Sequence, residues 1–128
     1  MGIENYKAWV PTENLTTQLY FLGLQNESGA LTILLKNFED QSKLLRIRFD
    51  GTLAYRVTQE AGRLKTINEN DPLATFNVIT DSPFLRWFEE ESEGIFDDWS
   101  LMHIVVCNSD NIIDVITNQK PEVKWEDS

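Results

Sequence analysis

The stretch Leu44-Leu45-Arg46-Ile47-Arg48-Phe49-Asp50-Gly51-Thr52-Leu53-Ala54-Tyr55-Arg56-Val57 decides the fold class. Leu45, Ile47 and Phe49 alternate with Leu44, Arg46 and Arg48, and Leu53, Tyr55 and Val57 resume the alternation after Asp50-Gly51. Successive side chains of a strand point to opposite faces, so this period of two puts the apolar set on one side of a sheet. Asp-Gly is a favoured two-residue hairpin loop, because both of its residues tolerate positive φ. The pattern predicts an antiparallel hairpin.

The same period extends in both directions. Upstream, Gln18 to Asn26 and Ala30 to Asn37 flank Glu27-Ser28-Gly29, a second hairpin signal, and Leu31, Ile33 and Leu35 share one face. Downstream, Thr58 to Asn70 is ambiguous between a helical turn at Gln59 to Gly62 and a short strand at Arg63 to Ile67. Leu73 to Thr80, with Phe76, Val78 and Ile79, reads as a strand. Asp81-Ser82-Pro83 starts a helix, with Ser82 as cap and proline at the first helical position, where its missing N–H costs nothing. Phe84, Trp87, Phe88, Glu91 and Ile95 fall on one helical face, which predicts a helix to Glu93 that stops at Gly94 and buries Trp87 and Phe88 against the sheet.

Leu101 to Cys107 is apolar on both faces except for His103, as expected of a central strand covered on each side. Asn108 to Asn111 then turns the chain into Ile112 to Thr117, a third hairpin. Residues 1–14 read as an irregular lead-in and 121–128 as a tail carrying Trp125. The expected fold is a single α+β domain over 1–128: a curved antiparallel sheet of six or seven strands with one main helix packed against it.

A chain of 128 residues with 41% hydrophobic and 25% charged residues suits one globular domain that holds itself together without disulfides or metal. Eleven basic residues against 21 acidic ones give a net charge of −10. Such a surface repels phosphate backbones, so no direct nucleic-acid binding is expected, and the charge favours a basic partner. The lone Cys107 forms no internal disulfide, residues Met1 to Asn5 lack a secretory signal, and no apolar run approaches the roughly 20 residues of a membrane helix. The expected protein is cytoplasmic, with no membrane partner.

Catalytic chemistry is sparse. On one strand His103 and Cys107 would lie roughly 13 Å apart at about 3.3 Å per residue, too far for a nucleophile and its base, and no third member is recognisable. The thiol then packs as a small apolar group, with the histidine partly satisfied by backbone. One His and one Cys do not make a structural zinc site, and Glu89 to Asp98 lacks the oxygen spacing of a calcium loop. None of the six glycines forms a phosphate-binding G-x-G. Catalytic, cofactor and metal sites are all expected to be absent.

Charge segregation is more informative. Lys43 to Lys65 carries Lys43, Arg46, Arg48, Arg56, Arg63 and Lys65 against Asp50 and Glu60, whereas Glu89, Glu90, Glu91, Glu93, Asp97 and Asp98 stand together with no positive residue. Either the two regions pair within the fold, or the acidic stretch is a patch open to a basic partner. On the second reading these six carboxylates are the partner-binding residues.

The run Ser82-Pro83-Phe84-Leu85-Arg86-Trp87-Phe88-Glu89-Glu90-Glu91-Ser92, with His103-Ile104-Val105-Val106, Ile113-Asp114-Val115-Ile116, Phe49, Tyr55-Arg56-Val57 and Glu60, resembles a group of small bacterial proteins similar to immunity proteins of polymorphic or contact-dependent toxin systems. The resemblance spans about Trp9 to Trp125, and its motifs are structural. It implies a non-enzymatic, antitoxin-like protein that neutralises a cognate toxin domain, often a basic nuclease, by direct binding. No binding residue is carried over by it. The alternative is an accessory or scaffold subunit that forms a homodimer through an exposed strand edge or binds another protein.

Overall fold

The computed structural model describes residues 5–13, 15 and 19–127; parts of the expected lead-in, the first residue of the Gln18 run and Ser128 lie outside them. Among the described residues nine strands form two antiparallel sheets, so one curved sheet of six or seven strands is too few strands and one sheet short. The five-stranded sheet runs β1 (Tyr6–Ala8), β6 (Phe76–Ile79), β7 (Met102–Cys107), β8 (Asn111–Thr117), β5 (Thr52–Gln59). The four-stranded sheet runs β2 (Leu19–Glu27), β3 (Ala30–Asn37), β4 (Lys43–Phe49), β9 (Glu122–Asp127). The expected lead-in and tail both contribute strands: β1 pairs with β6, and β9 pairs with β4 and turns Trp125 into the core.

The core lies between the sheets. Leu31, Ile33 and Leu35 of β3 and Leu45, Ile47 and Phe49 of β4 meet Phe76 of β6, Ile104 and Val106 of β7, and Ile113 and Val115 of β8. Each of these side chains is fully buried, and burial of one aliphatic or aromatic side chain stabilises by roughly 1.5–3 kcal/mol. The alternation in Leu44 to Val57 therefore reports an inward face, but not a shared partner strand. β4 and β5 sit in different sheets, and Asp50-Gly51 is a corner where the chain crosses between them. Gly51 is needed there for close approach: a Cβ would run into Oδ1 of Asn118, whose N–H donates to the Gly51 carbonyl at 3.4 Å. By contrast Ser28 and Gly29, at φ of 52° and 82°, form a true two-residue loop that sets Glu27 opposite Ala30.

β7 is the central strand of its sheet and pairs with β8, as the third hairpin signal implied. The outer face of this sheet is covered by the ambiguous segment, which folds as a 3-10 turn (Glu60–Arg63) and a short helix α1 (Leu64–Glu69), and by α2 (Pro83–Glu91). Ile67 of α1 packs with Ile79, Val105 and Ile112 of the outer face. Helix α2 buries none of its residues: Trp87 is 53% exposed, and Ile95 beyond it is 74% exposed. The expectation that Trp87 and Phe88 bury against the sheet fails because the large apolar faces of the two sheets satisfy each other. What remains for α2 is contact near its first turn, where the Phe84 ring lies edge-on to His103 at 5.4 Å.

Candidate functional site

Alternation along β7 and β8 sends His103, Val105 and Cys107, and Ile112, Asp114 and Ile116, to the outer face of the five-stranded sheet. Asp114 is thus a carboxylate on a strand that is buried at every position, and such a group must be neutralised locally. Its Oδ1 accepts from His103 Nε2 at 2.8 Å, and its Oδ2 accepts from Arg56 Nε at 2.8 Å and from Arg63 Nη1 at 2.7 Å. Register supplies the first arginine, since Arg56 on β5 stands directly opposite Asp114. The 3-10 turn supplies the second, and Arg63 also donates to Tyr6 Oη and Thr66 Oγ1. Burial pushes the Asp114 carboxyl upward, but hydrogen bonds from His103 and Arg56 and the charges of Arg63 and Arg56 outweigh it and hold the group at about 2.

The other ring nitrogen of His103 meets Ser82 Oγ at 2.7 Å. An ionised carboxylate only accepts, so Nε2 carries a proton, and a neutral imidazole then accepts from Ser82 Oγ–H at Nδ1. Ser82 Oγ also accepts from the Leu85 N–H at 2.9 Å, which makes it the N-cap of α2 that the sequence predicted. Ser82, His103 and Asp114 thus stand in series. Sequence reasoning rejected a His103–Cys107 dyad, expected backbone partners for the histidine and recognised no third member; both of its partners are side chains instead. A lone acid inside Ile112 to Thr117 was the visible signal. The series is sealed, with Ser82 5% exposed, His103 and Asp114 fully buried and the Phe84 ring against the imidazole. Its work in this geometry is to tie the start of α2 to the sheet.

Cys107 lies on the same face, beside a cleft of about 290 Å³ that Glu60, Ile67, Leu73 and Thr75 also line. Burial and the Asp114 charge push its thiol up to about 12, against smaller opposing effects of Arg63 and the Asn77 hydrogen bond, so the nucleophilic thiolate is scarce at neutral pH.

The six carboxylates proposed from sequence are all exposed. Glu89, Glu90 and Glu91 end α2; Glu93 and Gly94, at φ of 52° and 79°, turn the chain; Asp97 and Asp98 follow. Among the described residues none of the six forms an ion pair. The basic stretch spends its charge elsewhere: Lys43 on Asp127, Arg46 on Glu126, Arg48 on Asp50, and Arg56 and Arg63 on Asp114. Internal pairing between the two segments is therefore not what the fold does. The acids are interleaved with an aromatic ladder, of which the sequence places Trp87 and Phe88 against the sheet. Phe84 and Trp87 stack at 5.8 Å with planes 7° apart, Phe88 meets Phe96 at 5.4 Å, and Phe96 meets Trp99 edge-on at 5.0 Å. Trp99 is 45% exposed.

Among the described residues no group of three or more His, Cys, Asp and Glu side chains converges to hold a metal, and no helix is long and apolar enough to cross a membrane. Comparison with known protein families, curated protein sequences and solved structures finds no match for this chain.

Proposed function

We propose that the chain is a non-enzymatic binding protein of the cytoplasm, an immunity protein that neutralises a basic toxin domain by docking it on the segment from Phe84 to Trp99. The observation that carries this reading is the exposure of Trp87, Ile95 and Trp99 among six carboxylates that form no ion pair among the described residues. Protein interfaces combine aromatic anchors with a polar rim, and exposed apolar clusters on a small domain mark interaction sites. The like charges repel one another on the free protein and are relieved by a positive partner, which they also steer into encounter. Ser82 and His103 anchor the start of this segment to the rigid sheet, so the surface is presented with little ordering left to do on binding.

The test is protection. Cells that produce the cognate toxin domain survive with the wild-type chain coexpressed and die with an Ile95→Asp, Trp99→Asp variant that still folds; equal protection by that variant refutes the reading.

A second reading, self-association, is favoured by one feature. Among the described residues β5 pairs only with β8, which leaves an eight-residue edge open to strand addition. A net charge of −10 on each copy opposes it. A sedimentation measurement that finds a dimer abolished by Val57→Pro selects this reading over the first.

A further inference from the structure

Arg56, Pro83, Phe84 and Trp87 line an open pocket of about 310 Å³ over the sealed Ser82, His103 and Asp114 series, at the lower end of the range for small-ligand sites. We propose that this pocket binds a carboxylate carried on a flat apolar body, such as an arylacetic acid or the free C-terminus of a chain ending in an aromatic residue. The pocket shares Phe84 and Trp87 with the docking segment, but its argument starts from Arg56 and does not depend on that reading.

The charge comes from Arg56. Its side chain is 43% exposed and its Nε is committed to Asp114, while its two Nη groups, with four of the five guanidinium donors, have no acceptor among the described residues. Asp114 does not neutralise it fully, because the same carboxylate oxygen also holds Arg63. None of the four lining residues is acidic. The guanidinium is also fixed in place, by a fully buried acceptor below and by the Phe84 ring, whose centroid lies 4.4 Å from Cζ. A planar fork held in this way suits a carboxylate, which it meets through two parallel hydrogen bonds.

The apolar half of the ligand is set by the other walls. Trp87 stacks on Phe84 with nearly parallel planes and remains half-exposed, and Pro83 closes the pocket with a rigid ring. A flat group between the indole and the proline extends the stack, while its carboxylate turns to Arg56. A cation of the same shape meets the guanidinium head-on and is rejected.

The experiment is NMR titration of the intact chain, followed through Arg Nε–H and Trp indole N–H signals, with phenylacetate and its neutral isostere phenylacetamide as probes. Expected is saturable binding of phenylacetate in the millimolar range, with shifts confined to Arg56 and Trp87. Phenylacetamide, or phenylacetate with Arg56→Lys or Trp87→Ala, binds at least roughly tenfold more weakly, a loss of about 1.4 kcal/mol. Trp87→Ala removes a half-exposed side chain and keeps the test valid if Arg56→Lys fails to fold. Equal binding of acid and amide, or unaltered affinity in the Trp87→Ala chain, overturns the proposal. A short peptide ending in free phenylalanine separates the sources: tighter binding than phenylacetate assigns the pocket to a chain terminus, and weaker binding assigns it to a free acid.

Discussion

Replacing Asp114 by asparagine keeps the shape of the side chain and removes the charge on which the outer face is organised. Asp114 accepts from three donors, His103 Nε2 and the two arginines. An asparagine offers one carbonyl oxygen and one NH₂: with the oxygen toward the arginines, its N–H faces His103 Nε2, which accepts it only if the ring proton moves to Nδ1. Arg63, only 11% exposed, loses the charged acceptor that its Nη1 donates to. Breaking a buried ion pair from one side costs about 3–5 kcal/mol, a large share of the roughly 5–15 kcal/mol that holds a domain folded. At about 4 °C per kcal/mol for a chain of this size, Tm should fall by roughly 12–20 °C, read by calorimetry or circular dichroism. The exposed Lys43–Asp127 pair supplies the control, and Asp127→Asn should leave Tm unchanged. A drop of less than about 3 °C for Asp114→Asn would refute the view that this carboxylate is ionised and organises the face.

Three further outcomes follow from the same geometry. Because Asp114 is held at about 2 against an ordinary 3.8, its contribution of about 2 kcal/mol is present above pH 3.8 and is lost as pH falls towards 2; acid titration of Asp114→Asn should show a correspondingly flatter limb in that window. Trp87→Ala should cost under about 1.5 kcal/mol in urea unfolding, since the indole is half-exposed; a loss of 3–5 kcal/mol, as for a buried aromatic, would place the helix against the sheet after all. Gly51→Ala should destabilise by about 1–3 kcal/mol through the clash with Asn118, and that penalty should largely vanish in an Asn118→Ala background, as a double-mutant cycle would show.

The strands were legible in the sequence because their period is local. Ala30 to Asn37 and Leu101 to Cys107 needed only alternation and apolar content to be placed. Sheet membership was not legible, because Leu45 and Tyr55 look the same whether their strands pair with each other or face one another across a core. That one ambiguity misplaced the helix, since a single sheet leaves a bare apolar face for Trp87 to cover and two sheets do not. Trp125 and Tyr6 were missed for a related reason: β9 and β1 are short strands whose partners lie far away in the chain. The cap at Ser82 was readable from Ser-Pro alone, but its bond to His103 spans 21 residues and the His103 bond to Asp114 spans 11, distances at which spacing carries no signal. The acids are legible because charge needs no fold to be counted, whereas Trp87 and Phe88 at core-like helical spacing read as buried.

Whether the Phe84 to Trp99 surface is an interface is tested most directly by the association rate of the toxin domain with the wild-type chain and with a Glu90→Lys, Glu93→Lys variant, measured by stopped flow over a range of salt. Both side chains are exposed and free of ion pairs among the described residues, so the variant should melt with the wild type. Association should be roughly tenfold slower for the variant at low ionic strength, with the difference closing as salt rises and the Debye length falls below about 8 Å. Equal rates at low salt, or a toxin domain that is itself acidic, would contradict it.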